Sequence, residues 1–266
     1  MSGSIKNEKT TMKKILIILL AMLILAGCVT AEPAMTPAPV IVSETLMPTA
    51  TPVPLATPTV ISELSAYAFP ASIDPSKQYL FYLHGKIIED QGLHAVSPDY
   101  GEMEYVPILE KFASYDFVVI SEQRPKNADG MKYAERVMGQ VTKLLNAGVP
   151  AKNITVIGAS KGGGIALFIS YLLENKEINF VVMGTCDPDT VESWKQNNTS
   201  LSGNVLAIYD SVDEFAGSCQ EIFALSEGRG LARHDEIVLH VGTGHGILYK
   251  PLDEWMVPAV EWARGR

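Results

Sequence analysis

Ile154-Thr155-Val156-Ile157-Gly158-Ala159-Ser160-Lys161-Gly162-Gly163-Gly164-Ile165-Ala166-Leu167 joins two patterns at a single serine. The first four residues form an apolar, β-branched run of the kind that builds a buried strand, and the last four open a helix-period pattern that continues to about Glu174. Between them, Gly158-Ala159-Ser160-Lys161-Gly162 fits G-x-S-x-G, the sharp strand-to-helix turn that pushes a serine hydroxyl outwards while its small neighbours let strand and helix approach closely. A glycine-rich turn with an incidental serine is the competing reading. The setting between strand and helix favours a nucleophile, Ser160, with Gly158 and Gly162 giving the turn its room.

The same two patterns alternate on either side. Strand-like runs occupy Tyr79 to Leu83, Asp116 to Ser121, Asn153 to Gly158, Phe180 to Met183, Asn204 to Tyr209 and Glu236 to Val241. They are short and nearly continuously apolar, as strands covered on both faces are. Ala134, Val137, Met138, Val141, Leu144 and Leu145 recur at helical spacing before Gly148 and Pro150, and a last helix is expected over Pro251 to Ala263. Strand and helix in repetition predict an α/β fold with a mostly parallel central sheet and helices on both faces.

A nucleophilic serine needs a base, and the chain has five histidines. His245, in Gly242-Thr243-Gly244-His245-Gly246 after the last strand, can project towards the active end of a parallel sheet. His240 falls inside the last strand pattern, His234 before it, His84 at the end of the first strand and His94 in a long loop; packed, backbone-bonded or surface roles suit these four. The acid should lie between serine and histidine in the chain. Asp213 is far enough past the strand ending at Tyr209 to face the histidine, whereas Asp210 is placed to cap or brace that strand; Asp187 and Asp189 are substitutes. In a fold of this kind the loop after the first strand here supplies one oxyanion N–H and the residue after the nucleophile the other, which points to the main chains of Lys86 and Lys161, with His84 and Gly85 supporting and Gly85 permitting the backbone angle. An ordinary strand-end turn is the alternative. The two lysine side chains are either incidental or suited to an anionic substrate. The stretch from Lys86 to Ile108, with Tyr100, Met103 and Tyr105, either lines the pocket or is a plain surface loop.

From about Tyr79 to the C-terminus, the order of these elements resembles the α/β-hydrolase superfamily. Leu83-His84-Gly85-Lys86-Ile87-Ile88-Glu89-Asp90-Gln91-Gly92, Gly158-Ala159-Ser160-Lys161-Gly162-Gly163 and Gly244-His245-Gly246 together resemble a bacterial group of small hydrolases of undefined substrate. The resemblance implies the α/β-hydrolase fold and Ser-Asp-His chemistry, and no particular substrate. Lys161 departs from it as a charged residue beside the nucleophile.

Lys13 and Lys14 precede an apolar run from Ile15 to Leu25, then Ala26-Gly27-Cys28. This reads as a signal peptide, residues 1–28, with Met12 as a candidate start; an uncleaved anchor is the alternative, though the run falls short of the about 20 apolar residues of a spanning helix. Leu25-Ala26-Gly27-Cys28 resembles a bacterial lipobox, which implies cleavage before Cys28, its acylation, and an exported chain held at the membrane or envelope. Residues 29–62, rich in Pro, Thr, Ala and Val, read as a semi-rigid, solvated linker, and 63–266 as the catalytic domain. Cys186 and Cys219 each follow a strand of neighbouring position. A disulfide between them is expected, two unpaired buried thiols being the alternative.

The chain of 266 residues is 47% hydrophobic and 19% charged with net charge -9, which excludes an electrostatic nucleic-acid binder. No His/Cys/Asp/Glu group has metal-ligand spacing, and no cofactor is expected. The expected activity is hydrolysis of a small-molecule carboxyl ester through an acyl-enzyme. A peptidase or amidase with the same triad, or a non-catalytic ligand-binding envelope lipoprotein, are the alternatives.

Overall fold

In the computed structural model, residues 63–266 are described. The signal-like segment, Cys28 and the linker up to residue 62 lie outside the described residues.

Six strands form one sheet: β1 (Gln78–Leu83), β4 (Phe117–Ile120), β5 (Ile154–Ala159), β6 (Asn179–Met183), β7 (Gly203–Asp210) and β8 (Leu231–Leu239). Their spatial order is β4-β1-β5-β6-β7-β8 and every neighbouring pair is parallel. The remaining two, β2 (Val96–Ser97) and β3 (Gly101–Glu102), make a small antiparallel hairpin. Because successive side chains leave a strand on opposite faces, β1 divides itself between two cores. Tyr79, Phe81 and Leu83 pack on one side with Val156, Ile165, Ile169, Val137 and Val141. Leu80 and Tyr82 pack on the other with Ile157, Val181, Ile108, Phe112 and Trp255.

Helices supply both layers. On the first face lie α3 (Gly130–Asn146) and α4 (Lys161–Leu173). On the second lie α2 (Tyr105–Ser114) and α7 (Asp253–Ala263). The Asp129 side chain caps α3 by accepting from the N–H groups of Met131 and Lys132. The short helices α1 (Lys86–Gln91), α5 (Pro188–Gln196) and α6 (Gln220–Ser226) follow β1, β6 and β7.

Two expectations are corrected here. The last strand starts earlier than its apolar half suggested and stops at Leu239, so His234 lies within it, its ring 4.8 Å from that of Phe223, and His240 lies beyond it, exposed, with Nδ1 3.0 Å from Ser211 Oγ. The cause is position: β8 pairs only with β7 at the sheet's edge, where Arg233, Asp235 and Glu236 are tolerated and guard against edge pairing. The segment from Lys86 to Ile108 is not one loop over the site but α1, the hairpin and the start of α2. Within it Tyr105 and Met103 are core residues, and only Tyr100 of the three named aromatics and methionine reaches the cavity described next.

Candidate active site

The turn at Ser160 is the sharpest feature of the backbone. Ser160 has φ 53° and ψ -121°, a conformation that side chains rarely adopt, and it is held there from both sides. Its N–H donates to Met183 O at 2.8 Å, and its carbonyl accepts from Gly163 N–H at 2.8 Å and Gly164 N–H at 3.2 Å. The surrounding glycines are required by contact. A Cβ on Gly158 would stand 2.2 Å from Gly162 O, and one on Gly162 would stand 1.9 Å from Leu83 O. Strand, elbow and helix therefore touch through bare backbone.

His245 sits in a 3-10 turn, Gly244–Tyr249, that follows β8. Its Nδ1 lies 2.9 Å from Asp213 Oδ2 and 3.1 Å from Oδ1. Because the carboxylate can only accept, Nδ1 carries the proton and Nε2 is left with its lone pair. The Asp213 side chain has no exposed surface, and its Oδ1 also accepts from the N–H groups of Phe215 and Ala216. The Phe215 ring stands edge-on to the imidazole at 5.3 Å.

Asp210 is the brace the sequence allowed for. Fully buried, it accepts from Val212 N–H through Oδ1 and from Gly242 and Thr243 N–H through Oδ2, tying the loop after β7 to the loop that carries His245. Asp187 caps α5 through Thr190 N–H, and Asp189 is exposed in its first turn.

This is the α/β-hydrolase fold. Its parallel sheet brings the loops after β1, β5, β6, β7 and β8 to one rim, where Gly85, Lys86, Ser160, Lys161, Gly184, Phe215 and His245 line a cavity of ≈ 710 Å³. Serine and histidine face the same space without being hydrogen-bonded to each other in this structure. No family model and no curated protein matches this chain. Solved structures with similar outlines include a CIB-like hydrolase from Thermoplasma acidophilum, 15% identical, covering 73% of this chain and 89% of its own, with TM-score 0.48. Another is a thermophilic esterase from the Planctomycetes species Thermogutta terrifontis, 14% identical over 74% of this chain and 85% of that one, with TM-score 0.47. A YdeN-like hydrolase from Pectobacterium atrosepticum, 12% identical over 77% and 97%, has TM-score 0.45.

Lys86 and Lys161 are the first residues of α1 and α4, so their N–H groups have no acceptor within their own helices. Both side chains are paired within the chain: Lys86 with Asp90, while Lys161 Nζ donates to Glu89 and to Ala128 O. Gly85 is not needed for its backbone angle. At φ -72° and ψ 174° any residue would serve, and an added Cβ would make ordinary contact with Ser160 Cβ at 3.6 Å. What the glycine leaves is open space beside the serine.

His84 is buried behind this loop. Its Nε2 accepts from Arg124 N–H at 2.9 Å, so Nδ1 donates to Gly85 O at 2.8 Å. Burial, and then the Arg124 guanidinium, push its pKa down to about 3. It is a neutral scaffold residue, not a base.

Cys186 and Cys219 form the expected disulfide, with Cα atoms 5.3 Å apart, and Gly217 N–H donates to Cys186 O at 3.0 Å alongside it. The bond fastens the acid-bearing loop to the loop after β6. Sequence reasoning missed two features. The Tyr100 hydroxyl donates to Glu214, a bond that raises the tyrosine's pKa and lowers the glutamate's, and this ties the β2–β3 hairpin to the loop after β7. A cluster of buried Glu89 and Arg124 with partly exposed Lys161 joins the helix after β1 to the turn after β5. Among the described residues no group of His, Cys, Asp and Glu could hold a metal ion.

Proposed function

We propose that this chain is a serine hydrolase of carboxyl esters, with Ser160 as nucleophile, His245 as base and Asp213 as the acid that orients it. The observation that carries the reading is the strained, outward Ser160 sharing a cavity with a histidine whose Nδ1 is committed to a buried carboxylate. Ser160 attacks the ester carbonyl as His245 Nε2 takes its proton, and the tetrahedral oxyanion is met by the N–H groups of Lys86 and Lys161. His245 then gives the proton to the departing alkoxide, leaving the acyl-enzyme. Water repeats the sequence in the second half, and Asp213 supports the imidazolium each time. Rotation of the serine side chain and closure of the substrate complex are what bring Oγ to Nε2, since catalytic hydrogen bonds are often loose before substrate binds.

The cavity is bounded by Ile87, Tyr100, Phe168, Phe215 and Tyr249, with both lysine charges already paired. That supports a neutral ester with an apolar acyl part over an anionic one. A fluorophosphonate probe is expected to label the wild-type protein and not Ser160→Ala, and a panel of acyl esters and peptide amides to show ester turnover. Unlabelled but folded wild type would make the protein a binder, and faster amide than ester cleavage would make it a peptidase. We also propose that Cys28 is acylated and tethers the domain to the cell envelope. Labelled palmitate should enter the wild-type chain in bacterial cells and not Cys28→Ala; equal labelling of both would exclude that anchor.

A further inference from the structure

The Glu89 side chain has no exposed surface, and neither has Arg124. Oε1 of Glu89 accepts from Arg124 Nε at 2.6 Å and Oε2 from Lys161 Nζ at 2.6 Å. Lys161 Nζ also donates to Ala128 O at 2.7 Å, and Arg124 Nη2 donates to His84 O. Two cations and one anion thus meet beside the serine's cavity, Lys161 at its wall and Glu89 and Arg124 buried behind, with His84 neutral among them. Burying such a group gains little stability, because desolvation offsets the attraction and apolar residues of similar size would serve as well or better. Its placement has another consequence. Glu89 belongs to α1, whose first residue is Lys86, and Lys161 is the first residue of α4. The ion pair therefore joins, by side chains, the two short stretches whose main-chain N–H groups flank Ser160. Helix α1 has six residues between Gly85 and Gly92, too few to hold its own position by helix propensity.

We propose that Glu89 and Lys161 are positioning residues for the oxyanion hole: the buried carboxylate, steadied by Arg124, clamps the residue after the nucleophile to the helix that bears the second donor. The proposal rests on the acyl-transfer reading above. It gives a role to the charged residue beside the serine, whose ammonium is committed to Glu89 and Ala128 O. Donors of this kind stabilise a transition state only when already in place, and the net positive charge of the cluster acts in the same direction on the developing oxyanion.

The test uses the purified protein with Lys161→Met, Lys161→Arg and Glu89→Gln, measuring kcat and KM on an activated ester, the rate of fluorophosphonate labelling, and the melting temperature. Lys161→Met and Glu89→Gln should lower kcat by roughly 10- to 100-fold, part of what losing a donor outright costs, with KM changed less than about threefold. Lys161→Arg, which can still reach Glu89, should recover most of the loss. Should Glu89→Gln fail to fold, Lys161→Met decides alone, because its ammonium is partly exposed. Wild-type turnover with an unchanged kcat in Lys161→Met overturns the clamp and leaves the hydrolase reading intact. So does a loss that follows melting temperature and is not recovered by arginine. Wild type that neither turns over nor labels at Ser160 overturns both.

Discussion

Asp210 ends β7 and Asp213 follows three residues on, and both side chains are buried, yet their hydrogen bonds differ in kind. Asp213 spends two acceptor positions on the backbone of its own turn and still meets His245, whereas all three bonds of Asp210 go to main-chain N–H groups. Asp213→Asn should therefore keep the fold and lower kcat by about 10⁴, as loss of the correct imidazole tautomer does in triads generally. Asp210→Asn should act on stability, by about 1–3 kcal/mol, since an amide cannot match the carboxylate's acceptance from three donors. Parallel ester assays and urea denaturation separate the two; the reverse pattern would exchange their roles. The turn at Ser160 and the candidates His245 and Asp213 could be picked out of the sequence because each is announced locally, by a glycine-flanked turn or by its distance past an apolar run. Glu89 and Arg124 were not. They meet across 35 residues of sequence separation, and nothing in Ile87-Ile88-Glu89 says that the acid points inwards to a distant guanidinium.

At the scale of elements, the interior strands were plain because β1, β5 and β6 are buried almost throughout, so apolar runs and strand limits coincide. Strand β8 was half hidden because an edge position relaxes that demand, and the β2–β3 hairpin because pairs of two-residue strands leave no periodicity to read. The element with most leverage on the site is the loop between β7 and α6. It carries Asp213, and the Cys186–Cys219 bond fastens its far end to the loop after β6, closing a segment with a sequence separation of 33. The chain-entropy account gives such a closure about 3–4 kcal/mol. Thermal denaturation with and without reductant, beside the Cys186→Ser/Cys219→Ser double variant, should show a loss of that order. An unchanged midpoint would mean the loop is held by its other contacts.

For the whole molecule, acidity and burial combine in a pH response. The His84 pKa is ordinary, 6.5, in an exposed chain and about 3 in the folded one. Between those values the unfolded state binds a proton that the folded state refuses, so stability falls as pH drops through the window and is unaffected above it. The slope from this one group is about 1.4 kcal/mol per pH unit at most. Urea denaturation from pH 7.5 to pH 4 should show it, and His84→Gln should flatten that component; an identical profile in the variant would assign the acid sensitivity to carboxylates instead.

His245 lies in the last turn before α7, and that turn is seated by Ile247, Leu248 and Tyr249, which pack in one core with Trp255 and Met256 from the final part of the chain. During synthesis Ser160 therefore emerges from the ribosome long before His245. A half-made polypeptide, or one released early by a stop codon, carries the strained turn at Ser160 without the histidine that shares its cavity, so the proposed pairing of the two belongs only to a finished molecule.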